Sequence, residues 1–243
     1  MWRKITKKYS SNFSLPKRSR DNIKFIILHY TGMKKENLAI KKLCDHKSKV
    51  SSHYFIKKNG NILNLVPDLY EAWHAGKSRW KKYEFLNKYS IGIEIQNTGH
   101  NHYYENFSSN QVSSLKKLLK NLIKIYKIKN KNILGHSDIA PDRKKDPGEK
   151  FPWKNLSKIK IGFWHNLPLT TLKKLRLISL TPKEQNEFLT NLSKFGYPKI
   201  KKFKFHKRKK MLSSAFQRRF RQSLVNGIPD KECLLISKNL LKS

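Results

Sequence analysis

The most constraining feature of the sequence is the strict alternation of isoleucine with other residues in Ile91–Asn97 (IGIEIQN). Successive side chains of a β-strand point to opposite faces, so the isoleucines share one face while Gly92, Glu94 and Gln96 share the other. Such a strand needs an apolar layer on its isoleucine face. Glu94 then points away from that layer, and the neighbouring glycine leaves room for another group beside it.

Four further apolar runs predict strands, and one dipeptide predicts a hairpin. The predicted strands are 24–29, 53–58, 61–66 and 133–136. Asn59-Gly60 joins the middle two and is typical of a type I′ turn, which needs a positive φ angle at both central residues. Helices are predicted over 37–46 and 109–126, the second with a capping-box pattern that begins at Ser108. This alternation predicts an α/β fold, with a mixed central sheet flanked by helices.

The C-terminal part predicts a second, purely helical unit. Thr181-Pro-Lys-Glu184 is a typical helix start, with Thr181 as the N-cap residue and proline at the first helical position. A very basic loop, 199–210, follows that helix, and further helical runs lie around 212–220 and 231–241. The chain is predicted to have four parts: a basic N-terminal arm (1–22), an α/β domain (23–165), a linker (166–180) and a small three-helix domain (181–243).

The formal charge of +38 is extreme and typical of proteins that bind nucleic acids. Only ten of the 54 basic residues are arginine, however, and the sequence contains no established nucleic-acid-binding motif. We therefore expect affinity for polyanions as a property of the surface, without a specific nucleic-acid partner. The charge leaves a carboxylate-bearing cell-wall peptide, an anionic lipid and RNA open as partners, and it does not predict the oligomeric state.

Two absences bear on location. No apolar stretch approaches the ~20 residues that a membrane-spanning helix requires, and no apolar segment follows the basic N-terminus as in a signal peptide. We therefore expect no transmembrane segment and a cytoplasmic location, with the periplasm or cell envelope as the alternative. Cys44 and Cys233 are far apart in the sequence and do not make a disulfide framework.

Three potential metal ligands end or follow apolar runs. His29 ends the first predicted strand, His136 ends the last, and Asp146 follows in a Lys-Lys-Asp-Pro-Gly turn. Two neutral imidazoles and one carboxylate suit Zn²⁺, and three protein ligands leave a fourth tetrahedral position open for water. Taken singly, each histidine is commonly a packed or surface residue, and Asp-Pro-Gly is ordinary turn chemistry. Together they predict a catalytic site for one zinc ion.

Glu94 and a lysine near Asp146 complete the predicted chemistry. Glu94 is placed to act as a general base on a zinc-bound water; the alternative is a solvated or lysine-paired glutamate. Lys144 or Lys145 could stabilise a developing oxyanion beside the metal. Read only as part of the basic surface, both lysines are solvated charges. The whole set indicates a zinc hydrolase.

Three more residues are candidates for contacts with a substrate. Trp73 and His74 lie in a glycine-containing loop, and His53 begins a predicted strand. Trp73 could equally be packed beneath its loop, and His53 fits either a structural or a binding role. His100 lies in a polar loop and is predicted to be a bystander.

Five blocks of sequence occur in an informative order. They are FIILHYTG (25–32), SSHYFI (51–56), WHAG (73–76), IGIEIQN (91–97) and ILGHSDIAPDRKKDPGEKFPW (133–153). They resemble the zinc-dependent N-acetylmuramoyl-L-alanine amidases of the type 2 family, which also includes peptidoglycan recognition proteins. The tail, with Phe195-Gly-Tyr197, Ala215-Phe-Gln217 and Phe220, resembles a three-helix peptidoglycan-binding domain.

The resemblance implies a function and a role for each site residue. It implies hydrolysis of the amide bond between N-acetylmuramic acid, or its 1,6-anhydro form, and L-alanine in peptidoglycan or muropeptides. It implies His29, His136 and Asp146 as the zinc ligands, in agreement with the residue patterns. It also implies Glu94 as the catalytic acid and base and Lys144 as the oxyanion-stabilising residue. The rival interpretation is a recognition module that holds peptidoglycan without cutting it, but such a module would lack a zinc ligand.

Overall fold

A computed structural model describes residues 5–242; the first four residues of the predicted arm and Ser243 lie outside it. Its strands are β1 (Thr6–Lys7), β2 (Phe13–Ser14), β3 (Phe25–Tyr30), β4 (Tyr54–Ile56), β5 (Ile62–Asn64), β6 (Glu71–Ala72), β7 (Arg79–Trp80), β8 (Tyr83–Glu84), β9 (Ser90–Ile95) and β10 (Ile133–Gly135). Its α-helices are α1 (Glu36–Cys44), α2 (Ser109–Tyr126), α3 (His136–Ile139), α4 (Trp153–Ser157), α5 (Leu169–Leu175), α6 (Pro182–Phe195), α7 (Phe205–Phe220) and α8 (Lys231–Lys242).

Six strands form one mixed sheet in the order β1-β5-β4-β9-β3-β10. Within it β4 and β5 pair antiparallel, and the other neighbouring strands pair parallel. The register of β3 and β9 places His29 directly opposite Glu94. The strands that precede or carry the predicted site residues therefore end at the same edge of the sheet, where open α/β sheets bind ligands. The predicted fold class is confirmed.

The predicted hairpin is confirmed as β4 and β5, but the predicted type I′ turn is wrong. The backbone N–H of Gly60 donates to the carbonyl oxygen of Lys57 at 2.9 Å, so Lys58 and Asn59 are the central residues of the turn. Of the Asn59-Gly60 pair, only Gly60 has a positive φ angle, 85°. Gly60 occupies the left-handed position that follows a turn in a longer hairpin loop.

One face of the sheet packs on α2. The helix has the bounds that its apolar spacing predicts, and the capping box of Ser108 with Gln111 is formed. Its buried leucines form one core with the alternating isoleucines of β9. The members of that contact are Leu115, Leu118, Leu119, Leu122, Ile91, Ile93 and Ile95.

The other face of the sheet is covered in two separate places. On one side, Phe55 and Leu63 pack against apolar residues of α1. On the other, Phe25, Ile27 and Leu134 belong to the core of the C-terminal helices. The middle of this face, between the two apolar clusters, carries the polar side chains of His29 on β3 and Glu94 on β9.

The helices α6, α7 and α8 lie where the sequence predicts three helical runs. The Thr181 capping box is formed at the start of α6. Helix α7 begins at Phe205, so the second half of the predicted basic loop, 199–210, is helical rather than irregular. The predicted linker, 166–180, contains α5, whose Leu172 is buried in the core of the helical unit.

The N-terminal arm is anchored to the sheet. Strand β1 pairs with β5, and the Arg18 guanidinium donates to the carbonyl oxygens of Asn87 and Ser90, both at 2.8 Å, and of Asp68 at 2.5 Å. In residues 5–242 there is no helix with both the length and the apolar character needed to cross a membrane.

Candidate metal centre and active site

Three buried side chains meet at the carboxyl edge of the sheet. Nδ1 of His29 lies 2.9 Å from Nδ1 of His136 and 2.9 Å from Oδ2 of Asp146, and the His136 and Asp146 atoms are 3.0 Å apart. His29 comes from β3, His136 is the first residue of α3, and Asp146 lies in the following loop. These are the residues that the sequence predicts as metal ligands.

The histidine tautomers can be worked out from their outer hydrogen bonds. Nε2 of His136 lies 3.1 Å from the carbonyl oxygen of Ala75, which can only accept. In the neutral ring, Nε2 of His136 therefore carries the proton, and Nδ1 presents a lone pair to the cluster.

A short donor chain fixes the tautomer of His29. The Ser90 hydroxyl donates its proton to the carbonyl oxygen of Leu86 at 2.6 Å. Toward Nε2 of His74, 3.3 Å away, it must therefore act as the acceptor, so Nε2 of His74 carries a proton. Nδ1 of His74 then accepts from Nε2 of His29 at 3.1 Å. Burial, with the charge of His136, lowers the pKa of His29 to about 4, so its ring is neutral at neutral pH and its Nδ1 also presents a lone pair.

The donor set fits a metal cation. Two imidazole lone pairs and a carboxylate oxygen converge at 2.9–3.0 Å, an arrangement that is repulsive unless a positive charge lies between them. Burial alone would raise the pKa of Asp146, but its contacts with His136 and His29 outweigh that effect and hold the pKa well below its ordinary value. Asp146 is therefore ionised, as a metal ligand must be.

Glu94 lies beside this cluster with an unusual carboxylate. It shares the face and the register position of His29, and its Oε2 is buried without a hydrogen-bond partner among the described residues. Burial, with the negative charge of Asp146, raises the pKa of Glu94 well above its ordinary value, while Lys144 and Lys42 oppose the rise. A carboxylate of raised pKa beside a metal site is suited to accept and return a proton.

A cavity of about 380 Å³ opens over the cluster. Its lining includes Trp73, His74, Glu94, His136, Lys144 and Asp146. Lys42 and Lys145 add positive charge to the same walls. The structure thus brings seven of the eight predicted site residues together, since His29 contacts three of those that line the cavity.

The structure does not bring His53 to the cavity. Its side chain is fully buried, Nδ1 accepts from the backbone N–H of Gly92 at 2.9 Å, and Nε2 lies 2.9 Å from the carbonyl oxygen of Tyr70. Nη2 of Arg18 lies 3.1 Å from the same Nε2 atom. His53 therefore binds the backbone in the middle of β9. A side chain buried in this way is not compatible with the predicted contact with a substrate.

His74 fills the space that Gly92 leaves open on β9. A Cβ atom on Gly92 would lie 2.4 Å from Cγ of His74, so the space beside Glu94 is filled by this imidazole. Trp73 is half-buried, and its indole N–H donates to the Ser14 hydroxyl at 2.8 Å. The two residues line the cavity, and His74 in addition contacts the cluster of candidate ligands through His29.

Sequence reasoning missed the role of His100. Its Nδ1 lies 2.8 Å from the Tyr30 hydroxyl and its Nε2 lies 3.0 Å from Glu149. Tyr30 follows His29 and Glu149 follows the Asp146 turn, so this histidine ties together the two segments that carry those ligands. In the sequence, the role of His100 is signalled only indirectly, by the short distance of Tyr30 from His29 and of Glu149 from Asp146.

Comparison with known proteins identifies the family. Residues 19–149, more than half of the chain, match the family model described as N-acetylmuramoyl-L-alanine amidase. The chain belongs to the N-acetylmuramoyl-L-alanine amidase family. The family predicted from the five sequence blocks is therefore confirmed.

Relatives of this amidase extend the match beyond the α/β part. AmiD of Escherichia coli K12 is 35% identical over 232 residues, which cover 90% of this chain and 83% of AmiD. The 1,6-anhydro-N-acetylmuramyl-L-alanine amidase AmpD of the same organism is 42% identical over 105 residues, which cover 43% of this chain and 55% of AmpD. A structure of E. coli AmiD with the substrate anhydro-N-acetylmuramic acid-L-Ala-D-gamma-Glu-L-Lys has a TM-score of 0.80 and 34% identity and covers 94% of this chain and 91% of that one.

These findings confirm the predicted reaction class. This amidase is an enzyme that hydrolyses the bond between N-acetylmuramic acid and L-alanine, and not a recognition module. The cluster of His29, His136 and Asp146 is able to hold a metal ion.

Proposed function

We propose that this amidase is a zinc enzyme that cleaves N-acetylmuramic acid, or its 1,6-anhydro form, from L-alanine in muropeptides or peptidoglycan. The observation that supports this best is the convergence of three lone pairs, from His29, His136 and Asp146, on one point at the floor of the cavity. Two histidines and one carboxylate are the donor set of a catalytic zinc site.

These residues would hold Zn²⁺, and the bound ion would supply Lewis-acid chemistry, polarising the scissile carbonyl and lowering the pKa of a water molecule. The chain contributes a rigid ligand set. The carbonyl of Ala75 fixes the His136 ring, and the His74–Ser90 chain fixes the His29 ring. Such outer partners keep each ring in the tautomer and orientation that binding requires.

Glu94 is proposed to carry the proton. Its Oε2, which has no hydrogen-bond partner within residues 5–242, takes a proton from the attacking water and returns it to the nitrogen of the departing alanine. The buried setting supports this role. Burial disfavours the charged carboxylate, which raises the pKa of Glu94 and makes it a stronger base than an exposed glutamate.

Lys144 is proposed to hold the oxyanion of the tetrahedral intermediate. Its side chain lines the cavity and its charge acts on Glu94, so it lies close to the reacting atoms. Replacing Lys144 by Met is expected to lower kcat by about 10²–10³, the usual cost of losing one oxyanion donor. Lys145→Met is the matched control; an equal loss for both would remove the specific role from Lys144.

The substrate is proposed to be a muropeptide whose stem peptide carries free carboxylates. The name of AmpD and the ligand of the AmiD structure both contain the anhydro sugar, and Lys42, Lys144 and Lys145 place positive charge around the cavity. Trp73 is proposed to contact the substrate at its rim. The cytoplasmic location and the absence of a specific nucleic-acid partner stay predictions.

The proposal is tested by mass spectrometry of a defined anhydro-N-acetylmuramyl tetrapeptide incubated with the purified full-length protein. We expect release of free tetrapeptide that stops with a chelator and returns when zinc is added. Asp146→Ala is expected to lose both zinc and turnover, whereas Asp142→Ala, in the same loop but outside the cluster, should keep both.

Two results would contradict the proposal. Turnover that continues at full rate after complete removal of metal would exclude the zinc mechanism. Loss of zinc from the Asp142 and Asp146 variants alike would show that the loop, rather than the Asp146 carboxylate, determines metal binding.

A further inference from the structure

Residues of the C-terminal helical unit form hydrogen bonds with the segment that carries His136. Asp138, two residues after His136, accepts a hydrogen bond at Oδ2 from the backbone N–H of Gly135 at 2.7 Å. The same oxygen accepts from the guanidinium of Arg219, in α7. The side chains of Asp138 and Arg219 are each 1% exposed, so this is a fully buried ion pair between the two parts of the chain.

Both Asp138 and Arg219 make further contacts. Arg219 also donates to the carbonyl oxygen of Ile133 at 2.9 Å, and its guanidinium lies 4.3 Å from the centroid of the Trp153 ring. The hydroxyl of Tyr197, which follows α6, donates to Oδ1 of Asp138 at 2.8 Å. Both carboxylate oxygens of Asp138 are therefore engaged, and two of their three donors come from the helical unit.

These contacts bracket a metal ligand. They end at Ile133, Gly135 and Asp138, which surround His136 in the chain. Gly135 also lies against the loop of the third ligand, since a Cβ atom there would be 2.7 Å from Cδ of Pro147, the residue after Asp146. A shift of α3 would thus move the His136 ring and press on the Asp146 turn.

We propose that Arg219 and Tyr197 are positioning residues for His136, so that the helical unit is a structural part of the metal centre. The inference rests on the proposed function, because it assumes that His136 binds the metal. Removing Arg219 leaves the Asp138 charge buried without its partner. The segment 133–138 must then rearrange, and the ligand set loses its preorganised geometry.

A second buried ion pair provides the matched control. Arg221 donates to Asp230 at 2.9 Å, and these side chains are 1% and 5% exposed. Both residues belong to the helical unit, and the hydrogen bonds and ion pairs of the Arg221 side chain go to residues 226–232 and not to residues 133–138. Its loss should destabilise the helices by a similar mechanism without disturbing the segment that carries His136.

The experiment uses full-length, metal-free protein as wild type and as the Arg219→Met, Tyr197→Phe and Arg221→Met variants. Zinc affinity is measured by competition with a chromophoric chelator, at a temperature where circular dichroism shows each variant folded. Co²⁺ bound in place of zinc reports ligand geometry through its visible absorption spectrum.

We expect Arg219→Met to weaken zinc binding by about 10- to 100-fold, the usual cost of losing a partner that orients a ligand, and to change the cobalt spectrum. Tyr197→Phe should change both in the same direction by less, and it decides the question if Arg219→Met does not fold. Arg221→Met should bind zinc as the wild type does, even with a lower Tm.

Wild-type zinc affinity and an unchanged cobalt spectrum in folded Arg219→Met and Tyr197→Phe would overturn the inference. An equal loss of affinity in Arg221→Met would overturn it too, because the effect would then follow general stability. If the wild type itself binds no zinc, the proposed function fails first and the inference falls with it.

Discussion

The two faces of the central sheet are built from alternate residues of the same strands, yet they differ in almost every other respect. The face that carries Ile91, Ile93 and Ile95 is a continuous apolar layer under one long helix. The opposite face carries Gly92 and Glu94, together with His29 from the next strand. It is apolar only at its two flanks, where α1 and the C-terminal helices cover it.

The difference shows how one strand can serve stability and chemistry at once. The isoleucine side gains from burying area and tolerates small changes of shape, because its contacts are many and nondirectional. The Glu94 side depends on a few directional contacts among buried polar groups, each of which is costly to disturb. Substitutions one residue apart in β9 should therefore have different consequences.

The largest effect is expected for Glu94→Gln. The amide cannot accept the proton of the attacking water, so kcat should fall by about 10²–10⁴, the usual contribution of a general base. Zinc content, measured by elemental analysis, should stay at the wild-type value because Glu94 is not one of the proposed ligands. Full turnover in this variant would remove the base assignment, and loss of zinc would place Glu94 among the ligands.

The next effect is expected for Gly92→Ala, which adds a single methyl group. That carbon would lie 2.4 Å from Cγ of His74 and must push the ring away, breaking the hydrogen bond that holds His29. We expect zinc affinity to fall by about 10- to 100-fold. If affinity measured by chelator competition is unchanged, the His74 chain does not orient His29.

The same face should respond to pH with a definite sign. Burial, with the charge of Asp146, raises the pKa of Glu94 in the folded protein above its ordinary value of 4.5. As pH rises above 4.5, the unfolded chain loses this proton before the folded one does, so the residue contributes less and less to stability. Metal-free Glu94→Gln should therefore be more stable than the wild type at neutral pH.

This stability difference is measured by urea unfolding of the metal-free proteins between pH 4 and pH 8. The two proteins should converge toward the acidic end, where Glu94 is protonated in both the folded and the unfolded state. A constant difference across this range would mean that the carboxylate is not buried as the structure shows.

The smallest effect is expected for Ile93→Val on the opposite face. Removing one buried methyl group should lower the free energy of unfolding by about 0.5–1.5 kcal/mol, measured by urea unfolding. Zinc affinity and kcat should match the wild type, because Ile93 points into the α2 core. A catalytic defect here would show that the two faces are not independent.

The two faces were also unequally predictable. The bounds of α2, the isoleucine layer and the helix start at Thr181 follow from local periodicity and capping, which a short stretch of sequence contains in full. The two histidines of the proposed ligand set were predictable because each ends an apolar run, and Asp146 because it lies in the turn that follows the second run. Their roles, like those of Glu94 and Lys144, are proposals that the geometry supports.

What could not be predicted depends on residues far apart in the chain. His53 carries no local sign that Arg18, 35 residues earlier, lies against its Nε2 atom and helps to bury it. The turn at Asn59-Gly60 fits two geometries, and the loop length between β4 and β5 selects the one observed. His100 gained its place only when the fold brought Tyr30 and Glu149 to either side of it.

The pairing of Asp138 with Arg219 joins positions 81 residues apart, and it bears on how such a chain can be altered. A chimaera that takes its helical unit from another protein must bring an arginine to the same point, or leave a negative charge enclosed in an apolar interior. A substitution at Asp138 therefore determines which residues are tolerated at position 219, and the reverse also holds. The two halves are expected to vary as a linked pair and not as interchangeable modules.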